Sequence, residues 1–368
     1  MGERIKVVVV GAGSFGKNHL RVYRDLPQAE LVALVDQDSA TRTRLTAEYS
    51  LPAFATIDEM LSADLQIQAA SVCVPTVHHA AAATQLLAAG IDTLIEKPIA
   101  STLAEADALI ALADNNHRIL QVGHLERFNP AVTAAVPHLN RPMFFESHRL
   151  SIFTPRSLDV DVVLDLMIHD LDVVLSLVSS PVREVRAVGL PVLSKKTDIA
   201  NVRIEFQNGC VANFTASRVS TERVRKLRFF QPHQYLSLDF ARQDLLLIDV
   251  TAAASLTPAQ LEAVFAAQSA TQTANQSATP SATQTSTPAA QQVAALAPEA
   301  AHPTPGLSLH KLPTTPGEPL KLELEAFLHS VQTRTPPRVT GEEARNALAL
   351  ALEINKAIAA HATRSGLL

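Results

Sequence analysis

The chain has 368 residues, of which 47% are hydrophobic and 18% are charged. At about 150 residues per domain, this length predicts two domains, and the composition excludes a disordered, collagen-like or coiled-coil chain. The net charge of −5 provides no general attraction for nucleic acid or for an anionic membrane surface. The sequence therefore indicates a globular protein that needs neither kind of partner.

Two cysteines, Cys73 and Cys210, are too few for a disulfide framework, and each lies in a hydrophobic run typical of a buried thiol. The valine run 7–10 is too short for the hydrophobic core of a signal peptide. No segment reaches the roughly 20 hydrophobic residues that a membrane-spanning helix needs. We therefore expect a cytoplasmic protein.

Short hydrophobic runs alternate with helix-like segments over residues 1–122, which is the pattern of a parallel sheet with crossover helices. The predicted strands are 7–10, 31–35, 70–74, 93–95 and 119–122. The predicted helices are 15–26, 39–49, 78–89 and 103–114. Because the strands are nearly continuous in aliphatic residues, we expect helices on both faces of the sheet. Residues 1–122 are thus predicted to form an α/β Rossmann domain with a doubly wound parallel sheet.

Residues 123–368 are predicted to form a second, α+β domain. It has a predicted helix at 159–178 and predicted strands at 182–190, 201–206, 210–217, 224–230 and 235–240. The tripeptide Gln207-Asn208-Gly209 is typical of a hairpin turn, which indicates an open, mainly antiparallel sheet. Helical periodicity returns at 320–331 and 341–360, where Thr340 and Glu343 form a capping-box pattern.

The segment 252–318 differs from the rest of the second domain. It is dominated by Ala, Thr, Ser, Gln and Pro, and no Lys or Arg occurs between Arg242 and Lys311. Such a composition buries too little hydrophobic surface to offset the entropy lost on ordering. We therefore predict a disordered insertion, with a transient helix at 258–268, and expect deletion of 255–300 to change fold and activity little.

A glycine-rich turn follows the first predicted strand and begins the first helix. Gly11, Gly13 and Gly16 have the spacing of a dinucleotide-binding loop. The first glycine permits a tight turn, the second lets a pyrophosphate approach the backbone, and the third allows close packing of the helix. Because strand, turn and helix occur in the required order, we favour a dinucleotide site over a glycine-rich turn that binds nothing.

The second predicted strand ends near Asp36, about 20 residues after the glycine loop, where a dinucleotide site carries an acidic residue. A carboxylate there accepts hydrogen bonds from the adenosine ribose hydroxyls and repels a 2′-phosphate. The sequence therefore favours NAD over NADP as the cofactor. Arg42 is close enough in sequence to weaken that preference.

Two further motifs point to proton transfer. Glu96-Lys97-Pro98 follows the fourth predicted strand, at the sheet edge where open α/β folds bind ligands. Asp165 and His169 are four residues apart on one face of a predicted helix, so the carboxylate can orient the imidazole. A neutral histidine can take the proton of an alcohol while the hydride leaves for a nicotinamide. Lys97, Asp165 and His169 are therefore the predicted catalytic residues.

Two other interpretations of this helix remain open at this point. A divalent metal is one, although one histidine with the carboxylates of Asp161, Asp165 and Asp172 fits known ligand spacings poorly, so no metal site is predicted. A surface salt network without chemistry is the other.

Taken together, these motifs resemble those of the Gfo/Idh/MocA oxidoreductases over nearly the whole chain outside 252–318. The resemblance also includes Pro75-Thr76-x-His78 after the third predicted strand. It implies that Lys97 and His169 form the catalytic pair and that the open sheet mediates a homodimer or homotetramer. The predicted cofactor-binding residues are Gly11, Gly13, Ser14, Phe15, Gly16, Asp36, Pro75, Thr76, His78, Glu96 and Lys97.

Three segments, 122–130, 146–149 and 229–239, are similar to the branch of this family that oxidises C3 of UDP-N-acetylglucosamine or of its uronic acid. This resemblance implies that a PLP-dependent aminotransferase receives the 3-keto product, for 3-amino sugars of lipid A or surface polysaccharide. A free polyol, inositol or sugar is an alternative substrate. A non-catalytic dinucleotide sensor is less favoured, because a sensor does not need Lys97, Asp165 and His169.

A diphosphate substrate favours arginine, whose guanidinium binds phosphate oxygens in pairs. The predicted substrate-binding residues are Arg127, Asn129, Arg149, Arg156 and His169. The alternative for Arg127 is a structural ion pair with Glu126 or Asp165, and for Arg149 and Arg156 it is a surface position.

The remaining basic residues are assigned lesser roles. A second basic run is predicted to lie on the solvated side of a hairpin: Arg218, Arg223, Arg225 and Arg228. Among the other histidines, only His124 and His148 are expected to approach the substrate. A uronic-acid substrate would need an additional cation near C6, which the sequence does not identify.

Overall fold

A computed structural model describes residues 4–153, 160–250 and 308–366, together with the backbone of 300–301. The predicted helix at 258–268 and the predicted substrate residue Arg156 lie outside these ranges. Among the described helices, none is both long enough and hydrophobic enough to cross a membrane.

The first sheet has six parallel strands in the order β3-β2-β1-β4-β5-β6. They are β1 (Ile5–Val10), β2 (Ala29–Val35), β3 (Ala53–Phe54), β4 (Ala69–Val72), β5 (Asp92–Glu96) and β6 (Leu120–Gly123). This is the doubly wound order that the alternating pattern predicted. The chain reverses its winding direction between β1 and β4, so the carboxyl ends of these strands border one crevice.

Helices cover both faces of this sheet. They are α1 (Gly16–Asp25), α2 (Ser39–Tyr49), α3 (Ile57–Ser62), α4 (His79–Ala88) and α5 (Leu103–Asn115). The predicted bounds of α1, α2, α4 and α5 agree with the structure to within one residue. The prediction omitted β3 and α3, because elements of two and six residues carry too little periodicity to be recognised.

The second sheet has nine strands in the order β14-β15-β13-β12-β11-β7-β10-β9-β8. They are β7 (Phe144–Ile152), β8 (Val182–Leu190), β9 (Ile199–Phe206), β10 (Val211–Ser220), β11 (Val224–Gln231), β12 (Gln234–Asp239), β13 (Asp244–Asp249), β14 (Ala300–Ala301) and β15 (Ser308–Leu312). Within the described strands, β7 and β10 run parallel and the other neighbours run antiparallel. The predicted mainly antiparallel sheet is confirmed.

One prediction about this sheet is wrong in part. Most of the segment 252–318 lies outside the described residues, but Ser308–Leu312 forms β15 at its far end. Leu309 and Leu312 pair with Ile248 and Leu245 of β13, so backbone pairing orders a stretch whose composition suggested disorder. The prediction had also omitted β13 itself, which provides the edge for this pairing.

Helices of the second domain lie against one face of its sheet. They are α6 (Pro130–Ala135), a π-helical turn (Val163–Met167) that continues as α7 (Ile168–Leu177), and α9 (Gly341–Arg364). The capping box of Thr340 and Glu343 is present at the start of α9. The buried aromatic residues Phe145, Phe206 and Phe214 pack against these helices and form the main core of the domain.

The remaining helix, α8 (Pro319–Thr333), belongs in sequence to the second domain but packs on the first sheet beside α1. Leu324, Phe327 and Leu328 are almost completely buried there, together with Leu20 and Tyr23 of α1. The sheet of the first domain therefore ends at Gly123, whereas its hydrophobic core is completed by residues near the end of the chain.

Candidate active site

The glycine loop connects β1 to α1 with almost no space for side chains. Gly11 has a φ of +89°, and a Cβ at this position would lie 2.7 Å from the Val74 nitrogen. A Cβ on Gly16 would lie 1.9 Å from the Gly11 oxygen, so the helix packs directly on the turn. A Cβ on Gly13 would meet nothing within 4 Å. The loop thus leaves one open face, at the glycine that is expected to face a pyrophosphate.

A cavity of about 480 Å³ lies beside this loop. Its lining includes Gly11, Gly13, Asp36, Pro75 and His78. The Asp36 carboxylate accepts hydrogen bonds from the backbone nitrogens of Ala12 at 2.8 Å and Asp38 at 2.9 Å, which hold it at the cavity wall. An open glycine face, a carboxylate at the end of β2 and an adjoining cavity fit the diphosphate and ribose of a dinucleotide.

Other predicted cofactor residues lie around the cavity rather than in its wall. Ser14 and Phe15 form the turn before α1, with the Phe15 side chain 37% exposed. Thr76 begins a 3₁₀ turn, and its carbonyl oxygen accepts a hydrogen bond from the Ser101 hydroxyl at 3.5 Å. Arg42 donates to the carbonyl oxygens of Asp36 and Gln37, both at 2.8 Å, so its guanidinium is already engaged at the edge of the site.

Lys97 directly follows β5 and reaches the second domain. Its Nζ donates a 2.6 Å hydrogen bond to the backbone carbonyl of Asp165 and lies 3.9 Å from the Asp165 carboxylate. Burial lowers the pKa of Lys97 from its ordinary value of 10.5, although the negative charges of Asp165 and Glu96 oppose this change. The structure therefore brings together Lys97 and Asp165 across the two domains.

His169 lies in the first turn of α7, next to this pair. Its Nδ1 is buried and has no hydrogen-bond partner among the described residues. Burial lowers the pKa of His169 well below 6.5, and the positive charges of Lys97 and Arg149 add to the effect. The imidazole is therefore neutral at physiological pH and can accept a proton.

The predicted orientation of His169 by Asp165 is not what the structure shows. Within the described contacts, Asp165 makes no hydrogen bond to the His169 ring, and its carboxylate faces the Lys97 ammonium instead. A buried cation attracts the carboxylate more strongly than a neutral imidazole does. Asp165 is thus a partner of Lys97, and the i,i+4 spacing alone did not reveal that competitor.

Glu96 lies behind the site rather than in it. Its side chain accepts a 2.9 Å hydrogen bond from Nε2 of His19, which is completely buried in α1. A Cβ on Gly123 would lie 2.8 Å from the Glu96 carboxylate, so the glycine at the end of β6 makes room for it. This internal hydrogen bond fixes the end of β5.

Two of the predicted substrate residues are engaged in the core of the second domain. Arg149, only 3% exposed, binds Asp170 through Nε at 2.9 Å and Nη2 at 2.7 Å, and binds Glu126 through Nη1 at 3.0 Å. Asn129 donates to Glu126 and caps α6 by accepting from the Ala131 nitrogen. The polar side chains of Arg149 and Asn129 are therefore buried and have internal partners in this structure.

Arg127 also has structural partners. It donates to Glu343 at 2.9 Å and to Asp172 at 3.5 Å, rather than to the Glu126 or Asp165 considered from sequence. His124, at the end of β6, packs edge-on against His169 with ring centroids 6.4 Å apart. His148 pairs across the sheet with Lys226 on the face opposite Arg149, so it does not approach His169 from the same side.

The sequence did not identify Arg225 as a site residue and predicted that it lies on the solvated side of a hairpin. In the structure it lies directly opposite Arg149 on β11, so both side chains project from the same face of the sheet. Its positive charge is among the causes of the lowered His169 pKa. Arg225 is exposed, and its side chain forms no hydrogen bond or ion pair with the described residues. Only the register of β7 with β11, which the sequence does not provide, places it near the site.

The described residues contain no group of three or more His, Cys, Asp or Glu side chains arranged to hold a metal ion. The cluster itself consists of a lysine, a carboxylate and a neutral histidine. This arrangement can bind an alcohol oxygen and remove its proton.

Comparison with known proteins agrees with this geometry. Residues 5–124 match a model described as an oxidoreductase family with an NAD-binding Rossmann fold, and residues 132–231 match the GFO/IDH/MocA C-terminal domain. UDP-N-acetylglucosamine 3-dehydrogenase of Acidithiobacillus ferrooxidans is 38% identical over 238 residues, which cover 64% of this chain and 74% of that protein.

Two further proteins are similar to this chain: a solved structure that covers almost all of it and a relative named for a different substrate. A structure of the Acidithiobacillus ferrooxidans UDP-N-acetylglucosamine 3-dehydrogenase has a TM-score of 0.79 at 30% identity and covers 98% of this chain and 99% of that one. The scyllo-inositol 2-dehydrogenase (NAD(+)) of Bacillus subtilis is 23% identical over 236 residues, 60% of this chain and 69% of that protein. The chain is therefore an oxidoreductase that acts on a CH–OH group, and it belongs to the Gfo/Idh/MocA family.

Proposed function

We propose that the protein is an NAD-dependent dehydrogenase that oxidises the C3 hydroxyl of a UDP-linked amino sugar, UDP-N-acetylglucosamine, to the 3-keto derivative. The observation that carries this proposal is the meeting of Lys97, Asp165 and His169 where the two domains join. The sugar nucleotide is suggested by the relative from Acidithiobacillus ferrooxidans, which bears the name of that activity.

In this mechanism the two domains each supply part of the reacting centre. Lys97 Nζ, held by the Asp165 carbonyl, donates a hydrogen bond to the alcohol oxygen and so favours its negative charge as the proton leaves. His169, kept neutral by burial, takes that proton. The cofactor, when bound, accepts the hydride from the carbinol carbon, and a C=O bond replaces the O–H and C–H bonds. Asp165 acts by positioning Lys97.

The residues proposed to hold the cofactor are those of the cavity. The open face of Gly13 accommodates the diphosphate, and the Asp36 carboxylate accepts hydrogen bonds from the adenosine ribose hydroxyls. NAD is favoured over NADP because a 2′-phosphate would meet the Asp36 charge. Arg42 weakens this preference, because its guanidinium lies at the edge of the site and donates to the carbonyl oxygens of Asp36 and Gln37.

Arg225 is our candidate for an anionic group of the substrate. The guanidinium groups of Arg127 and Arg149 already bind carboxylates, whereas Arg225 is exposed and, within the described part of the chain, without an ion-pair partner. A guanidinium on the His169 side of the sheet suits a diphosphate, or the C6 carboxylate of UDP-N-acetylglucosaminuronic acid. The proposal has three further parts. A PLP-dependent aminotransferase receives the 3-keto product, and the protein assembles as a homodimer or homotetramer. Its location is the cytoplasm, where its two free cysteines stay reduced.

The decisive experiment offers purified protein and NAD three substrates separately: UDP-N-acetylglucosamine, its uronic acid and myo-inositol. Formation of reduced nicotinamide and a product lighter than UDP-N-acetylglucosamine by two hydrogen atoms supports the proposal. Turnover of the uronic acid alone moves the pathway to surface polysaccharide, and turnover of inositol alone contradicts a nucleotide-sugar substrate. No reduction of NAD with any alcohol contradicts the dehydrogenase mechanism.

A pair of variants tests the anion site. Arg225→Gln is expected to raise KM for the nucleotide sugar about tenfold or more, as for loss of a hydrogen bond to a charged group, with a smaller change in kcat. Arg228→Gln is the matched control, because Arg228 lies on the same strand but on the opposite face, 3.9 Å from Glu146. Equal effects of both variants would remove Arg225 from the site.

A further inference from the structure

Between His169 and the outer surface of the second domain lies a row of buried polar atoms without partners. Nδ1 of His169, both ring nitrogens of His124 and Oδ2 of Asp172 are buried and form no hydrogen bond with any described residue. Buried polar atoms are ordinarily paired, because burying them unpaired costs free energy. A run of such atoms next to a proton acceptor indicates a function for them.

Spacings along this row suit transfer through one intervening water molecule or a small side-chain rotation. The rings of His169 and His124 are 6.4 Å apart between centroids and nearly perpendicular, at 84°. Nδ1 of His124 lies 3.9 Å from Oδ2 of Asp172. The 3.9 Å separation is too long for a direct hydrogen bond, and the two rings form none with each other, so transfer needs a bridging water or a side-chain rotation. The three side chains thus form a path from the catalytic helix outward.

The outer end of the path opens to solvent. Asp172 lines a cavity of about 470 Å³ together with Arg127, Ser176, Glu343 and Asn346. Arg127 joins the two carboxylates, at 3.5 Å from Asp172 and 2.9 Å from Glu343. The Glu343 side chain is 40% exposed, so a proton that reaches Asp172 has an exit to water.

The charges around the path favour movement of a proton along it. Burial lowers the pKa of His124 to about 3, with contributions from the positive charges of Lys97 and Arg127, so its ring carries a proton only transiently. Burial raises the pKa of Asp172 to about 7; Glu343 adds to this rise and Arg127 opposes it. The other charged groups that face the path are Arg149 and Arg225 of the sheet, which act on His169, and Glu323 of α8, which faces Asp172.

We propose that His124 and Asp172 form a proton relay that carries the proton released at His169 to the cavity beside Arg127 and Glu343. The proposal rests on the dehydrogenase function above, because oxidation of an alcohol by a nicotinamide cofactor releases one proton per turnover. His169 takes the alcohol proton, its Nδ1 gives up a proton to His124, and the Asp172 carboxylate receives it. Asp172 then returns the proton to solvent, and a ring flip of His169 and of His124 restores their starting tautomers.

Kinetics of three variants test the relay. Asp172→Asn and His124→Phe are expected to lower kcat for alcohol oxidation about tenfold or more, with KM and cofactor affinity near those of the natural chain. In the natural chain kcat rises with pH around pH 7, since Asp172 must be deprotonated to accept a proton. This rise of kcat around pH 7 is expected to be absent in Asp172→Asn. Glu353→Gln, at another wall of the same cavity, is the matched control and leaves kcat and the pH profile unchanged.

Two results would overturn the relay. One is an unchanged kcat and pH profile in Asp172→Asn and His124→Phe. The other is a joint loss of kcat, cofactor affinity and thermal stability, which indicates a structural role. If those variants fail to fold, Glu343→Gln at the exposed end is expected to lower kcat and to increase the solvent deuterium isotope effect, and no change in either contradicts the proposal.

A titration without substrate separates failure of the relay from failure of the proposed function. In NMR spectra of the natural chain, the His124 ring resonances are expected to shift with a midpoint near pH 7, as Asp172 changes its charge, and to lose this shift in Asp172→Asn. Absence of the shift in the natural chain contradicts the relay even where turnover is observed. Its presence without turnover of any alcohol contradicts the proposed function and leaves the coupled pair established.

Discussion

The ammonium nitrogen of Lys97 lies 2.6 Å from the carbonyl oxygen of Asp165, although the two residues are separated by 68 positions in sequence. Lys97 directly follows β5 of the first domain, and Asp165 lies in the π-helical turn that precedes α7 of the second. The hydrogen bond therefore joins the domain that holds the cofactor cavity to the helix that holds His169. The relative position of the domains therefore fixes where His169 lies with respect to Lys97.

Replacing Lys97 separates catalysis from cofactor binding. Lys97→Ala is expected to lower kcat/KM by about two orders of magnitude or more, because the alcohol oxygen loses its hydrogen-bond donor. The dissociation constant of NAD, measured by fluorescence, changes little, since the diphosphate and ribose sites are at Gly13 and Asp36. A comparable loss of NAD affinity would show that Lys97 acts mainly on the cofactor.

The pH dependence of Lys97 has a definite sign. Burial lowers its pKa below 10.5, and the protonated form is the one that donates to substrate. Activity is therefore expected to fall as pH rises, with a midpoint below 10.5. Lys97→Arg keeps its charge throughout this range, so its lower rate should show no such alkaline fall. An alkaline fall with the same midpoint in both enzymes would assign it to another group.

The glycine loop provides a matched pair of substitutions. Gly16→Ala places a Cβ 1.9 Å from the Gly11 oxygen and is expected to lower the melting temperature. Gly13→Ala meets nothing within 4 Å and leaves the melting temperature unchanged, but its methyl group occupies the face offered to the diphosphate. NAD affinity therefore falls in Gly13→Ala without loss of stability. Calorimetry with and without NAD checks both, and unchanged NAD affinity in Gly13→Ala would place the diphosphate elsewhere.

Asp36 sets the expected choice between NAD and NADP. Asp36→Ala removes hydrogen bonds to ribose and is expected to weaken NAD binding by about 10- to 100-fold. This range corresponds to the loss of about 1.5–3 kcal/mol for a hydrogen bond to a charged group. NADP binding weakens less or improves, because the repulsion of its 2′-phosphate is lost. Asp38→Ala is the control, since Asp38 caps α2 through the Thr41 nitrogen at 2.8 Å. A parallel change in the affinities for both cofactors would contradict the assignment.

The buried ion pairs of Arg149 predict a pH-dependent loss of stability. Arg149→Met leaves Glu126 and Asp170 buried and unpaired, which costs about 3–5 kcal/mol in the free energy of unfolding. In the variant the folded state binds protons more readily than the unfolded state, so its stability rises as pH falls. Urea unfolding at neutral and mildly acidic pH measures this difference. Arg186→Met, which removes only an exposed pair with Glu184, should be almost neutral.

Local signals in the sequence predicted most of the first domain. Hydrophobic runs, the glycine spacing and the Asp36 position each depend on residues close together in the chain, and the helices they predict agree with the structure to within one residue. The helical segment that contains Asp165 and His169 was also predicted, because both residues lie within one periodic stretch. What the pattern did not show is the partner of Asp165, since Lys97 comes from another strand.

The features that the sequence did not predict are pairings between residues far apart in the chain. Arg149 is of the residue type that binds phosphate, but its guanidinium forms hydrogen bonds with Asp170 and Glu126. Arg225 lies in a basic run typical of a surface hairpin, but the register of β11 with β7 places it opposite Arg149. Cross-strand register depends on the whole sheet and is not encoded in a short motif. The same reason explains why β15 was missed within a segment of disorder-like composition.

The position of α8 has a consequence for the order in which the protein is made. The first domain is translated first, yet Leu324, Phe327 and Leu328 of α8, which complete its core, are synthesised only after the strands of the second sheet. Until then, Leu20 and Tyr23 lack a cover, and the nascent cofactor domain exposes a hydrophobic face. Completion of the cofactor domain is thus coupled to synthesis of the second sheet, so a product that stops before α8 cannot accumulate as a fully packed dinucleotide-binding fragment.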